Sequence, residues 1–213
     1  MNDYQKINTL YMRDEKNIII PSEYTKEEFS YLENNVWECT EKIDGTNIHI
    51  DFIDGEINLC GRTENALIPT SLILKLQSIF TKEIMNKLFS GNVSIYGEGY
   101  GAKIQKGGGS YISNGVDFIL FDVKINDFWL NRSNCEEIAS NLGVNIVPLI
   151  GYMTIPEAAK IVEDGFKSLV SEDKDMYAEG LVLKTQNGLR FRNGERIITK
   201  IKHVDYVKYK LKQ

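Results

Sequence analysis

Apolar and polar positions alternate over Val36 to Ile43 and again over Thr46 to Ile53, two stretches rich in β-branched residues. That period of two predicts a pair of strands. Asp54-Gly55 follows as a hairpin signal and leads into a third strand over Glu56–Arg62. Residues 70–89 carry apolar positions at helical spacing and predict the best helix of the chain. Val93–Glu98 and Val116–Ile125 predict further strands, and the glycine-dense stretch from Gly99 to Gly115 is either a loop or a mobile strand edge. Thr25 with Glu28, Ser133 with Glu136 and Thr154 with Glu157 have capping-box spacing. They predict a short helix, a second ending near Gly143 and a third running to about Leu169. Residues 178–203 return to strand character, with turns at Asn187-Gly188 and Asn193-Gly194. Hairpins interspersed with helices, without strict βαβ alternation, predict an α+β fold with twisted antiparallel sheets.

The length of 213 residues permits one sizeable domain, expected over 1–213. No apolar run reaches the roughly 18 residues of a membrane span, and Met1-Asn2-Asp3-Tyr4-Gln5-Lys6 lacks a signal peptide's features. Cys39, Cys60 and Cys135 are odd in number and widely spaced, with neither a disulfide framework nor a zinc-ligand pattern. That fits a reducing, cytoplasmic setting. The sequence carries no signal of oligomeric state, and a monomer is the expectation. With only His49 and His203, no histidine-built metal site is expected. The net charge of −5 hides an asymmetry: nine Lys or Arg against two acids from Lys184 to Gln213 make that tail +7 and the remainder −12. The tail is either a solvated basic face or a wall for phosphates.

The candidate chemistry starts at Lys42-Ile43-Asp44-Gly45-Thr46-Asn47, a lysine at a strand end followed by Asp-Gly. A lysine amine is a nucleophile only when neutral, and burial or nearby cations favour that form. Lys200 and Lys202, two apart on a strand, point to one face and would crowd such an amine while holding a triphosphate. Glu98, in Tyr96-Gly97-Glu98-Gly99-Tyr100-Gly101, suits ribose hydroxyls or a metal. The glycines there match no dinucleotide fingerprint, and Lys106-Gly107-Gly108-Gly109 is not a P-loop, because its lysine precedes the glycines. That second series either wraps phosphates or is simply flexible. Phe121, grouped by alternation with Ile119 and Val123, is a core side chain or a stacking platform for a base. Glu179 is a natural Mg²⁺ ligand. Lys184 follows Glu179 at odd spacing, so both face one ligand only with a bulge or strand end between them.

Taken in order, these segments resemble the covalent nucleotidyltransferases, the superfamily of polynucleotide ligases and mRNA capping enzymes. The chain looks most like the RNA ligase 2 type, over about Trp37 to His203. The resemblance implies the nucleotidyltransferase fold, with Lys42 as nucleophile, Glu98 on the ribose and Phe121 against the base. It also implies Glu179 as metal ligand, Glu179 to Lys184 as a nucleotide-binding motif, and Lys200 and Lys202 on the α-phosphate. Arg62, in Gly61-Arg62-Thr63, falls where relatives place a phosphate-binding arginine. Ile43 and Asn47 belong to the nucleophile motif and are expected to contact the nucleotide. Glu41 is expected to accept from the adenine 6-amino group and to repel the guanine 6-oxo group. The implied reaction joins a 5′-phosphate end to a 3′-hydroxyl of nucleic acid, RNA above DNA, through lysyl-AMP, with ATP and Mg²⁺ or Mn²⁺, as in RNA repair. The rival readings are a small DNA ligase, a capping guanylyltransferase and a non-catalytic end-binding module. Many relatives carry a further domain after the Lys-x-Lys motif; here eleven residues follow Lys202, and no separate OB or helical domain is expected.

Overall fold

The structure is a computed structural model and describes residues 4–62 and 66–212. Thr63, part of the expected Arg62 motif, and Gln213, the last residue of the basic tail, lie outside the described residues. In chain order, β1 (Asn8–Thr9), β2 (Tyr11–Arg13) and β3 (Ile19–Tyr24) precede helix α1 (Glu27–Tyr31). Next come β4 (Trp37–Lys42), β5 (Thr46–Ile53), β6 (Glu56–Gly61), α2 (Thr70–Ile79), α3 (Lys82–Leu88) and β7 (Val93–Gly101). They are followed by α4 (Gly108–Tyr111), β8 (Val116–Ile125), β9 (Phe128–Trp129), α5 (Arg132–Leu142) and β10 (Asn145–Ile146). The chain continues through β11 (Leu149–Met153), α6 (Ile155–Asp164), β12 (Gly180–Thr185), β13 (Ile198–Lys202) and α7 (His203–Lys210). This is the expected α+β arrangement. Its pairings are mostly antiparallel; β1–β13 and β8–β10 pair in parallel. No described helix is long and apolar enough to cross a membrane.

The chain divides into two compact units. One comprises residues 1–4, 44–147 and 171–173. Its sheet runs β10-β8-β7-β5-β6, with β9 on β8. Ile48, Ile50, Phe52, Ile95, Phe118, Leu120 and Val123 point from that sheet into a core shared with Leu72, Leu76 and Cys135 of its helices. The other unit comprises residues 5–43, 148–170 and 174–213. Its sheet runs β1-β13-β12-β4-β11, and β2 pairs separately with β3. Trp37, Cys39, Leu181, Leu183 and Ile201 bury one face of it against Ile155, Ala158 and Val162 of α6.

Several boundaries differ from expectation. The long helix over 70–89 is two helices, because Thr81 is a cap whose hydroxyl accepts from the Ile84 N–H at 3.3 Å. Near residue 25, Lys26 precedes α1 without a side-chain cap, since the Thr25 hydroxyl donates to the Thr9 carbonyl instead. Asn131, not Ser133, caps α5 by accepting from the Asn134 N–H at 3.0 Å. The expected Thr154–Glu157 capping box is present, but α6 stops at Asp164, where Gly165 adopts a φ of 78°. The glycine-dense stretch splits into the end of β7 and the single turn α4, whose Tyr111 is fully buried. The later part of the basic tail forms α7, with Lys208 and Lys210 in its last turn, where they complement the helix dipole.

Candidate active site

In the unit that carries β4, strand register gathers the cationic residues. Lys42 pairs with Gly180, and Gly180 with Lys202; Thr40 pairs with Val182, and Val182 with Lys200. Residues directly opposite one another share a face of the sheet. Lys42, Lys200 and Lys202 therefore project from the face opposite the Leu181–Ile201 core. Lys184, level with Glu38, stands on that same face roughly 13 Å further along the strand.

The side chain that meets the Lys42 amine is an acid. Lys42 Nζ donates to Glu179 Oε2 at 2.6 Å, and Lys202 Nζ lies 2.7 Å from Glu179 Oε1. One carboxylate thus bridges two lysines, a direct ion pair in a place where the sequence reading expected Glu179 as a metal ligand. The Lys42 amine also lies 3.4 Å from the carbonyl of Ile43, whose own side chain is buried. Glu179 sits one residue before β12, outside its pleat. Gly180 takes a φ of 151°, and a β-carbon there would strike the Ile201 backbone. This strand end frees Glu179 from the alternation that would have turned it away from Lys184.

Glu41 occupies the other face, level with Leu181. Its carboxylate is almost fully buried, accepting from the Ser168 hydroxyl at 2.5 Å and the Leu169 N–H at 2.9 Å. Burial pushes its pKa above the usual carboxylate range, and the two donors oppose that shift. Ser168 and Leu169 had no signal in the sequence, because they meet Glu41 only through the fold. Cys39, two residues before Glu41, is a buried thiol that burial pushes up to about 12.

The chain passes into the other unit at Asp44. The Asp44 N–H donates to the Tyr111 hydroxyl at 3.2 Å, and the Gln105 amide donates to the Gly45 carbonyl at 3.0 Å. These contacts give the glycine-dense stretch a local anchoring role. Gly45 is required by space: a β-carbon there would clash with the Gly99 carbonyl.

Asn47 lies opposite Glu98, and Glu98 opposite Ile119, on the sheet face away from that unit's core. The Asn47 carbonyl oxygen is buried without a hydrogen-bond partner among the described residues. The ladder between β7 and β8 slips between Tyr96 and Gly97, leaving Phe121 as the extra residue of a bulge. The bulge overturns the expected grouping. Val123 joins Leu120 in the core, whereas Phe121 is half-buried and meets the Tyr4 ring edge-on, 5.0 Å between centroids. Arg62 is exposed, immediately after β6.

The RNA ligase family model matches residues 35–202, most of the chain. The chain belongs to the RNA ligase family. No curated protein matches it by sequence. Among solved structures it resembles an RNA ligase from Naegleria gruberi. A variant of that enzyme with ATP and Mn aligns with a TM-score of 0.66 at 22% identity, covering 86% of this chain and 54% of the ligase. The same enzyme with pyrophosphate aligns at 0.66 and 21% identity over 97% and 59%. An apo variant aligns at 0.66 and 20% identity over 98% and 59%. The chain therefore spans a little over half the length of these ligases. At these identities the likeness establishes a shared fold.

Proposed function

We propose that this RNA ligase family member is an ATP-dependent RNA ligase that works through a lysyl-AMP intermediate. The observation that carries the proposal is the Lys42–Glu179–Lys202 arrangement, with an amine, an acid and a second cation joined within 2.7 Å. The Naegleria gruberi ligase, a structural relative, is known with ATP and Mn, with AMP and Mn, and with pyrophosphate. Those are the donor, a product-side nucleotide and the leaving group of such a reaction.

In the first step the Lys42 amine attacks the α-phosphorus of ATP. A P–N bond forms, the bond to the β-phosphate oxygen breaks, and pyrophosphate departs. The ammonium proton now shared with Glu179 must be given up before attack, and the carboxylate is the nearest acceptor. Lys200 and Lys202 neutralise charge building on the phosphate oxygens. Next, a 5′-phosphate oxygen of the RNA attacks the lysyl-AMP phosphorus. The P–N bond breaks, and a phosphoanhydride links AMP to the end. Finally a 3′-hydroxyl attacks the 5′-phosphorus and AMP leaves.

Glu179 offers carboxylate oxygens of the kind Mg²⁺ and Mn²⁺ prefer, and it fits the expected metal ligand. A bound divalent ion would supply further positive charge for the phosphates. Glu98 and the Asn47 oxygen, which has no partner among the described residues, are assigned to ribose or base donors, Phe121 to stacking, and Arg62 and Lys184 to phosphate. Glu41, the expected reader of the adenine amino group, lies on the opposite sheet face from Lys42 with its carboxylate buried on Ser168 and Leu169, so its side chain is assigned to bracing β4 beside the nucleophile.

The test is end-joining on a nicked duplex with a 5′-phosphate and a 3′-ribose hydroxyl, with ATP or GTP and Mg²⁺. The proposal expects sealing with ATP, little with GTP, and weaker sealing when the 3′ nucleotide is deoxyribose. Sealing by GTP alone, or equal sealing by Lys42→Ala, would refute it.

A further inference from the structure

His49, Asp51 and Cys60 form a cluster outside the nucleotide chemistry. Their ligand atoms all lie within 4.8 Å of one another. The hairpin of β5 and β6 builds it: His49 pairs directly with Cys60, and Asp51 stands two residues along from His49 on the same face. No sequence spacing announced this. His-x-Asp and a cysteine nine residues later become neighbours only through the strand register.

His49 is 1% exposed, and neither ring nitrogen has a hydrogen-bond partner among the described residues. Buried side-chain nitrogens are nearly always paired, so an unpaired imidazole enclosed in a sheet face calls for a ligand. The nearest acid does not supply it as a hydrogen bond, because His49 Nε2 is 3.6 Å from Asp51 Oδ2. Two donors on one tetrahedral zinc stand about 3.4 Å apart, from Zn–N and Zn–O lengths near 2.1 Å. Asp51 is itself 4% exposed and held in orientation: the Ser94 hydroxyl donates to its Oδ1 at 2.6 Å, leaving Oδ2 toward His49. Such a second partner commonly orients a metal-ligating carboxylate. The Tyr96 ring packs against the imidazole, 5.9 Å between centroids, and fixes its plane. Cys60, half-buried on the edge strand β6, completes the set on the side open to entry.

We propose that His49, Asp51 and Cys60 bind a zinc ion, with water in the fourth position. A mixed nitrogen, oxygen and sulfur set selects zinc-like ions over Mg²⁺ or Mn²⁺, which favour oxygen throughout. The site pins the edge strand β6 to β5 and so braces the hairpin that ends at Arg62.

The test uses the purified full chain, stripped with chelator and titrated with Co²⁺ alone. One equivalent should produce a thiolate-to-cobalt charge-transfer band that Zn²⁺ then bleaches. Cys60→Ser should abolish the band, whereas Glu179→Ala should keep it. The second variant separates this site from any ion held by the nucleotide chemistry. Cys39 is a poor competitor, since burial pushes its thiol up to about 12. Zn²⁺ at about a hundredfold excess over its Kd should raise Tm by about 5–10 °C in the stripped protein and not in Cys60→Ser. Should circular dichroism find Cys60→Ser unfolded, Asp51→Asn serves instead: the thiolate band survives, and Co²⁺ affinity falls about tenfold or more. A folded wild type without the band, a band that survives Cys60→Ser, or an affinity unchanged in Asp51→Asn overturns the proposal.

Discussion

Lys42 Nζ stands 2.6 Å from Glu179 Oε2. The other oxygen of that carboxylate holds Lys202 at 2.7 Å. The pair is partly shielded, and neither side chain is more than 20% exposed. One acid therefore positions both the proposed nucleophile and the lysine proposed to hold phosphate. Glu179→Gln keeps the shape but removes the proton acceptor, and Lys202→Ala removes the cation. Each should lower the rate of lysyl-AMP formation by on the order of a hundredfold, as expected for charges aimed at a transition state. Single-turnover adenylylation with labelled ATP measures this. A rate within about threefold of wild type in either variant contradicts the assignment.

Glu41 gives the fold a predictable acid dependence. Its carboxyl is raised by burial, so the folded state holds its proton to higher pH than the unfolded chain. The associated stability is fully present below the ordinary carboxylate pKa and is lost as pH rises through the raised folded value. Glu41→Gln should remove that loss, flattening the Tm profile just above the usual carboxylate range. Ser168→Ala should cost about 1–3 kcal/mol at neutral pH, because it strips a donor from a buried carboxylate. Thermal melts across pH, wild type against Glu41→Gln, check the sign.

Asn47 should trade stability against affinity. Its carbonyl oxygen is buried with no partner among the described residues. A buried acceptor left unpaired costs about 1–3 kcal/mol. Asn47→Ala removes that cost along with the acceptor, so the nucleotide-free protein should melt no lower than wild type while the stabilisation by ATP shrinks. A lower melting temperature with unchanged ATP stabilisation would give Asn47 a structural role only.

Gly180 secures the placement of Glu179. It combines a φ of 151° with close approach to the Ile201 and Lys202 backbone. Gly180→Ala meets both backbone strain and collision, and should cost about 2 kcal/mol or more. Denaturant unfolding would measure the loss, and adenylylation should fall with it, because Glu179 is the adjoining residue. Gly188, with a φ of 60° and nothing within 4 Å of its missing β-carbon, is the control, strained in backbone but not in space.

Elements governed by local chemistry were legible in the sequence. The Asp54-Gly55 hairpin appears with positive φ at both residues, and the Thr154–Glu157 capping box forms as spaced. Alternation over residues 46–53 matches β5, and the strand expected over 116–125 has the bounds of β8. Two caps were missed: Ser133 was the expected cap of the second helix, yet Asn131 takes the role, and Thr81 divides an apparently continuous helix. The bulge at Phe121 depends on the slip between two strands and has no signature within either one. The site divides in the same way. Lys42, Glu179, Lys200 and Lys202 were recognisable from their order along the chain. That Glu179 bridges two lysines, that Ser168 holds Glu41, and that His49 faces Cys60 are consequences of register and packing.

The most direct test of the central claim is an intact mass measurement after exposure to ATP and Mg²⁺, followed by mapping of the modified peptide. A gain of one AMP, stable to base and labile to acid as a phosphoramidate, should map to Lys42, be absent from Lys42→Ala and disappear when pyrophosphate is added back. No adduct on the folded protein, or an adduct on any other residue, would contradict the account.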